Sequence, residues 1–200
     1  MHDATQPTDS MAVKSVSIDA ALAAADNRGA EFSRYSHPEL LDIFGGLAPP
    51  SVSDFQGEFF GRTLASIDTV GAVVTWASTH LPLPGRWFGK GFTATGEHGG
   101  HGYNRFSFLG LESHTMRFDT RLDRSSIDDK PILLMDYGPK ANPLAYLRAR
   151  DEIRQIDDMN YLLCGYFTWP LIGRSQVFTY HLYGPVGPFE HAGRLLGSGT

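Results

Sequence analysis

Met116-Arg117-Phe118-Asp119-Thr120-Arg121-Leu122-Asp123-Arg124 has the clearest period in the chain. Met116, Phe118, Thr120 and Leu122 alternate with Arg117, Asp119, Arg121 and Asp123. That is the two-residue repeat of a strand with one face in a core and the other in water. Four more extended segments follow before Pro185: Pro131–Tyr137, Asp151–Ile156, Tyr161–Trp169 and Gln176–Tyr183. Between them stand turn signals: Ser125-Ser126 with Asp128-Asp129, Gly138-Pro139 to Asn142-Pro143, Asp157-Asp158, and Pro170 to Gly173. Successive strands with short polar links predict an antiparallel meander, whose edges must be closed or covered. The expected fold is mainly β, an antiparallel barrel, and the expected use of its interior is to hold a small molecule. Tyr161–Trp169 and Gln176–Tyr183 are apolar or mixed on both faces. Such strands are covered on both sides, or line a cavity with one.

Working back toward the N-terminus, Phe55–Leu64, Gly85–Thr95 and Tyr103–Leu109 read as earlier strands, with a glycine/histidine loop from Glu97 to Gly102. Ile67, Val70, Val74 and Ala77 fall on one helical face, so a helix from Ser66 to His80 is expected between the first two strands. Two short helices precede the barrel. One is capped by Ser17 and Asp19 and stopped at Asp26 by Asn27 and Gly29; the other spans Pro38 to Phe44. The expected organisation is a disordered tail over 1–14, one barrel domain with its helices over 15–185, and a loose glycine-rich tail over 186–200.

Composition narrows the function classes. At 200 residues, 42% apolar and 20% charged, the chain suits one soluble globular domain. A net charge of −5 with both signs intermixed offers no basic face to nucleic acid. No apolar run reaches membrane-spanning length and Met1–Ser10 has no apolar signal region, which predicts a cytoplasmic protein without a membrane partner. A homo-oligomer is left open. Cys164 stands alone, so no internal disulfide forms, and it reads as a small buried hydrophobe. No G-x-S-x-G elbow, phosphate loop or G-x-G-x-x-G follows a strand, so no cofactor is expected. His98-x-x-His101 lacks a spaced third and fourth ligand, so no metal is expected either.

Several short elements resemble the GXWXG family of small lipocalin-like proteins. Gly57-Glu58-Phe59-Phe60-Gly61 fits the first, with phenylalanine in the tryptophan place, and Trp87-Phe88-Gly89-Lys90-Gly91-Phe92 fits the second. Asp128-Asp129-Lys130-Pro131-Ile132 leading to Asp136 looks like the third, and Arg154-Gln155-Ile156-Asp157-Asp158 like the fourth. The matches run in order through residues 55–183. The resemblance implies a lipocalin-like, calycin-like β-barrel with an apolar ligand site; it implies no catalytic mechanism.

Candidate site residues come from polar groups in apolar strands. Asp136 ends Leu133-Leu134-Met135-Asp136-Tyr137 and either pairs with an arginine such as Arg150 or Arg154 or serves as a base tuned by burial. His181 is either a satisfied core residue or a proton carrier on the barrel wall. Tyr166 is the third candidate for proton transfer. Trp87, Tyr137, Tyr161, Tyr180 and Tyr183 supply candidate aromatic walls and hydroxyls, and Arg154 a candidate charge. Lys90, between Gly89 and Gly91, is either exposed or meets an anionic headgroup, with Asn104 and Arg105 as weaker candidates for that role. Two functions follow. One is binding of a small apolar or amphipathic molecule. The alternative is a cofactor-independent cyclase, isomerase or decarboxylase of a polyketide- or terpenoid-like substrate, in which the pocket folds the substrate and Asp136, His181 or a tyrosine moves a proton.

Overall fold

The computed structural model describes residues 18–66, 85–142, 149–169, 173–174 and 178–190. Two helices, α1 (Ile18–Phe32) and α2 (His37–Gly46), precede nine strands. These are β1 (Gly57–Ser66), β2 (Arg86–Gly96), β3 (Gly99–Phe108), β4 (Leu111–Arg124), β5 (Pro131–Asp136), β6 (Ala149–Gln155), β7 (Asn160–Trp169), β8 (Gly173–Arg174) and β9 (Phe178–Gly187). The sheet order β6-β5-β4-β3-β2-β1-β9-β7 is sealed by a further pairing of β6 with β7, and every pair is antiparallel. The two-residue β8 folds back on the end of β7. The result is an eight-stranded closed barrel, which leaves none of those eight strands at an edge.

Strand parity sorts the side chains. One buried cluster draws on all eight barrel strands, including Phe59, Trp87, Phe106, Phe118, Met135, Ile153, Leu163 and Leu182. Only an interior touches every strand, so these residues fill the barrel. The second cluster joins Phe32, Leu40 and Phe44 of the helices to Ile132, Leu134, Leu162 and Cys164. It is the outer face of β5 and β7 beneath α1 and α2. Cys164 is the buried hydrophobe the sequence predicts. Both faces of Tyr161–Trp169 are apolar because one lines the interior and the other lies under helices.

The interior is not filled evenly. Val52 and Phe55, just before β1, turn into one end. There Phe55 packs within 4.5 Å of Phe59, 5.0 Å of Phe92 and 4.8 Å of Tyr161, measured between ring centroids. Among the described residues, open space lies toward the other end, where β2, β6 and β9 begin.

Several boundaries differ from the sequence reading. α1 passes Asn27 and Gly29 and continues to Phe32. The helix lies close on β1 there: a Cβ on Gly29 would come within 2.6 Å of Arg62 Cδ. The expected Glu97–Gly102 loop is mostly strand, since Gly96 pairs with Gly99 across a two-residue turn and His101 pairs with Thr93. Residues 186–190 are not loose: β9 runs to Gly187, and the Glu190 N–H donates to Tyr103 Oη at 3.0 Å. β1 starts at Gly57 rather than Phe55, leaving Phe55 free to plug the barrel end. Beyond Ser66, the helix expected up to His80 lies outside the described residues, as do the 1–14 tail and residues 191–200. No helix among the described residues is long and apolar enough to cross a membrane.

Position in the barrel sets the cost of truncation. Phe118→Ala, at a fully buried interior site, is expected to destabilise by about 3–5 kcal/mol in urea unfolding. Leu122→Ala, on the same face of β4 but 45% exposed, is expected to cost less than about 1 kcal/mol. Equal costs would contradict an interior that ends between those two residues.

Candidate functional site

A cluster of polar side chains stands inside the barrel at its less filled end. β2 carries Trp87 and Lys90, β3 Asn104, β6 Asp151, and Tyr137 follows β5 directly. Lys90 Nζ lies 2.8 Å from Asp151 Oδ2 and donates to Asn104 Oδ1 at 2.8 Å and to Tyr137 Oη at 2.6 Å. Tyr137 O–H donates to Asp151 Oδ2 at 2.8 Å. The Trp87 indole N–H donates to Asn104 Oδ1 at 3.0 Å. The Asn104 amide donates to Tyr137 Oη at 3.1 Å and to the Met116 carbonyl at 3.0 Å.

The backbone is shaped to make the last contact. Gly102 pairs with Phe118 but Asn104 pairs with Thr115, so β4 carries one extra residue there. Met116 sits in that bulge at φ 50°, a left-handed conformation costly for a side chain of its kind. The bulge brings its carbonyl to Asn104.

Beside the cluster is a cavity of about 50 Å³, bordered also by Phe106, Met116, Ala149, Phe167, Phe178 and Tyr180. Two glycines make room for its walls. A Cβ on Gly61 would meet the Trp87 ring at 2.3 Å. A Cβ on Gly165 would meet the Phe178 ring at 2.2 Å and Asp151 Oδ1 at 2.8 Å. Burial pulls the Lys90 ammonium below its ordinary pKa, with the Asp151 charge opposing that shift. Burial, then the Asp151 charge, pushes the Tyr137 phenol well up.

Five of the expected ligand-binding residues meet at this cavity: Trp87, Lys90, Asn104, Tyr137 and Tyr180. The other three do not. Tyr161 is interior but belongs to the plugged end, against Phe55 and Phe59. Tyr183 shares the outward face of β9 with His181. Arg154 is fully buried outside the barrel, bidentate on Asp128 at 2.8 and 2.7 Å and donating to the Phe44 carbonyl at 2.8 Å. It ties α2 to the β4–β5 turn, and its hydrogen bonds hold the Asp128 carboxyl down at about 2.

The three residues expected to move protons all lie outside the barrel. Asp136 faces Arg150 at 2.8 Å and Arg121 at 3.3 Å, the salt-bridge alternative weighed for it. His181 packs under α1, 5.3 Å from the Phe32 ring, with Nε2 2.9 Å from Asn160 Oδ1. Tyr166 lies outward beside Glu152 and Ser126, its phenol raised to about 12 by burial. The physical reason is parity. Met135, Tyr137, Tyr180 and Leu182 point in, so Asp136 and His181 point out. Lys90 also departs from expectation. It is 2% exposed, its three protons are already shared among three partners, and no donor remains for an anionic headgroup.

Asp151 was missed. In Ala149-Arg150-Asp151-Glu152-Ile153-Arg154 charges fall on both faces and hide the period. The usable signal was the set Ala149, Asp151 and Ile153, one acid between two apolar residues of one parity.

A second buried polar cluster lies on the outer face of β1, β3 and β4. Glu58, Glu112 and His114 place ligand atoms within 4.8 Å of one another. Arg105 already occupies the position of a cation there, 2.9 Å from Glu58 and 2.6 Å from Glu112, and Tyr103 O–H donates to Glu58 at 2.7 Å. A guanidinium bridging both carboxylates fits an ion-paired outer patch better than a metal centre. His98 stands in the β2–β3 turn, and His101, on β3, meets the Phe189 ring edge-on at 5.8 Å.

The barrel has a solved counterpart. The crystal structure of a protein from Thermomonospora curvata matches 83% of this chain and 98% of that one, with a TM-score of 0.51 at 16% identity. Likeness at that identity concerns the fold alone, and it agrees with the closed barrel. No family model and no curated protein matches the chain.

Two measurements test this electrostatic account. Lys90→Met strands a buried carboxylate and is expected to cost about 3–5 kcal/mol in urea unfolding. Adding Asp151→Leu is expected to recover most of that loss, because an apolar pair needs no desolvation. A double variant as weak as the sum of the singles would mean that the two residues are not energetically coupled and would contradict this account of the pair. His181 is held neutral, its pKa lowered to about 4 chiefly by burial. The unfolded chain therefore binds the extra proton between pH 6.5 and 4, and stability falls as pH drops through that window. The expected loss is about 3 kcal/mol, and His181→Gln should flatten that part of the pH–stability curve.

Proposed function

We propose that this protein is a small-molecule-binding barrel of the lipocalin-like kind. Its ligand seats a polar end against the Lys90–Asn104–Tyr137–Asp151 cluster and an apolar remainder along Trp87, Phe167, Phe178 and Tyr180. One observation carries the reading: a hydrogen-bonded ion pair is buried in an otherwise apolar interior, and the residual cavity adjoins it. Burying such a pair is often no more stabilising than an apolar filling of the same volume, so its presence beside a hollow points to recognition. Apolar walls with a few convergent polar groups are the general chemistry of ligand pockets.

Membership in the GXWXG-type family is part of the same proposal. Its support is that the matching elements are joined in space. Gly57–Phe60 pair with Gly89–Phe92 along β1 and β2, and Arg154 binds Asp128. The alternative, a cofactor-independent enzyme, finds none of its three named proton carriers at the cavity.

The size of the hollow selects the probe. A dry cavity known to take benzene measures about 150 Å³, and this one is smaller, so slender unbranched chains are the probes. With 1-butanol to 1-octanol as probes, saturable amide shifts are expected at Lys90, Asn104 and Ala149 and not at Phe55 or Phe59. Ala149→Leu fills the cavity and is expected to abolish them while the fold is retained. Shifts that survive in Ala149→Leu would place alkanol binding elsewhere and remove the proposal.

A further inference from the structure

The hydrogen-bond balance of the interior cluster says which polar end the cavity takes. This inference rests on the small-molecule reading above and narrows it to a chemical class.

The valences are nearly all spent. Lys90 has three protons, and Asn104 Oδ1, Tyr137 Oη and Asp151 Oδ2 lie around them. The Asn104 amide has two protons, and the Met116 carbonyl and Tyr137 Oη accept them. The Trp87 N–H is taken by Asn104 Oδ1. Tyr137 Oη accepts two bonds and donates its own proton to Asp151 Oδ2. Within the cluster no donor is left to offer an incoming group. The open position is an acceptor. All the bonds that described residues give the Asp151 carboxylate go to Oδ2, while Oδ1 lies where a Cβ on Gly165 would come within 2.8 Å of it, and Asp151 itself lines the cavity.

We propose that the cavity selects an uncharged molecule presenting an O–H or N–H group, with Asp151 Oδ1 as the acceptor. A carboxylate ligand would find no free donor in the cluster and would lie beside the Asp151 charge. An ammonium ligand would add a second cation next to the buried Lys90. A ketone or aldehyde would leave Oδ1 unmet while burying its own oxygen. Each of these leaves a desolvated group unpaired, which is the discrimination that buried polar sites exert most strongly.

The occupancy of the other groups also gives Lys90 and Tyr137 a defined role. They hold Oδ2 and thereby orient Oδ1. They border the cavity and act as positioning residues for that acceptor.

The test varies the head at constant chain length. 1-Hexanol, 2-hexanone and hexanoate are titrated into the full chain at neutral pH, following the amide resonances of Ala149, Asp151 and Gly165. 1-Hexanol is expected to bind at least tenfold more tightly than either of the others, the worth of one charge-assisted hydrogen bond. Asp151→Asn, whose amide can donate, is expected to shift the preference toward 2-hexanone by a similar factor. If 2-hexanone or hexanoate binds the natural protein as tightly as 1-hexanol, the donor assignment is overturned while the small-molecule reading stands. If none of the three shifts these resonances, both fall. Should Asp151→Asn not fold, the ranking of the three probes on the natural protein decides the question alone.

Discussion

The pairing of β6 with β7 is the constraint on which everything else depends. Without it, eight strands in meander order form an open sheet with two long edges and two faces to cover. Closure removes the edges and divides the residues of every strand into inside and outside. That division decides the role of each polar group. It sends Asp151 inward and Arg150, Glu152 and Arg154 outward from a single seven-residue strand. It also separates Tyr137 from Asp136, neighbours in the chain with unrelated surroundings.

Inside, the barrel is closed by aromatic packing at one end and left less filled at the other. Phe55, Phe59, Phe92 and Tyr161 take the space where a carrier of large ligands would have a second mouth. What remains is about 50 Å³, an opening on the scale of a functional group and a few carbons. The ion pair beside it is the least economical feature of the interior. Well-packed apolar residues of similar volume often replace a buried ion pair without loss of stability. The bulge at Met116, the two glycines beneath Trp87 and Phe178, and the orienting bonds of Lys90 and Tyr137 all serve the geometry of that one polar wall.

Outside, buried charge does a different job. Arg154 on Asp128, Asp136 between two arginines, and Arg105 between two glutamates each hold parts of the chain together through ion pairs in partly dry surroundings. His181 under α1 adds a neutral polar contact whose ionisation the fold resists. Strong shifts from ordinary acid–base behaviour thus occur on both faces of the wall. Proximity to the cavity, rather than the shift itself, separates groups that can meet a ligand from those that fasten helices.

The alternation of Met116 to Leu122 and the turn signals after it determined by themselves that this chain forms antiparallel strands in succession. Short-range sterics and burial act on neighbouring residues and leave a period that can be read directly. Trp87, Lys90, Asn104, Tyr137 and Tyr180 were also legible as candidates, because polar or amphipathic side chains in apolar strands need partners. Only the tertiary structure decided which parity faces in. A strand apolar on both sides looks the same whichever face lines a cavity, and charges on both faces of β6 concealed Asp151. The difference is set by α1 and α2, which shelter one side of the sheet, and by partners 14 to 61 positions away along the chain that Lys90 can meet only once the ring has closed.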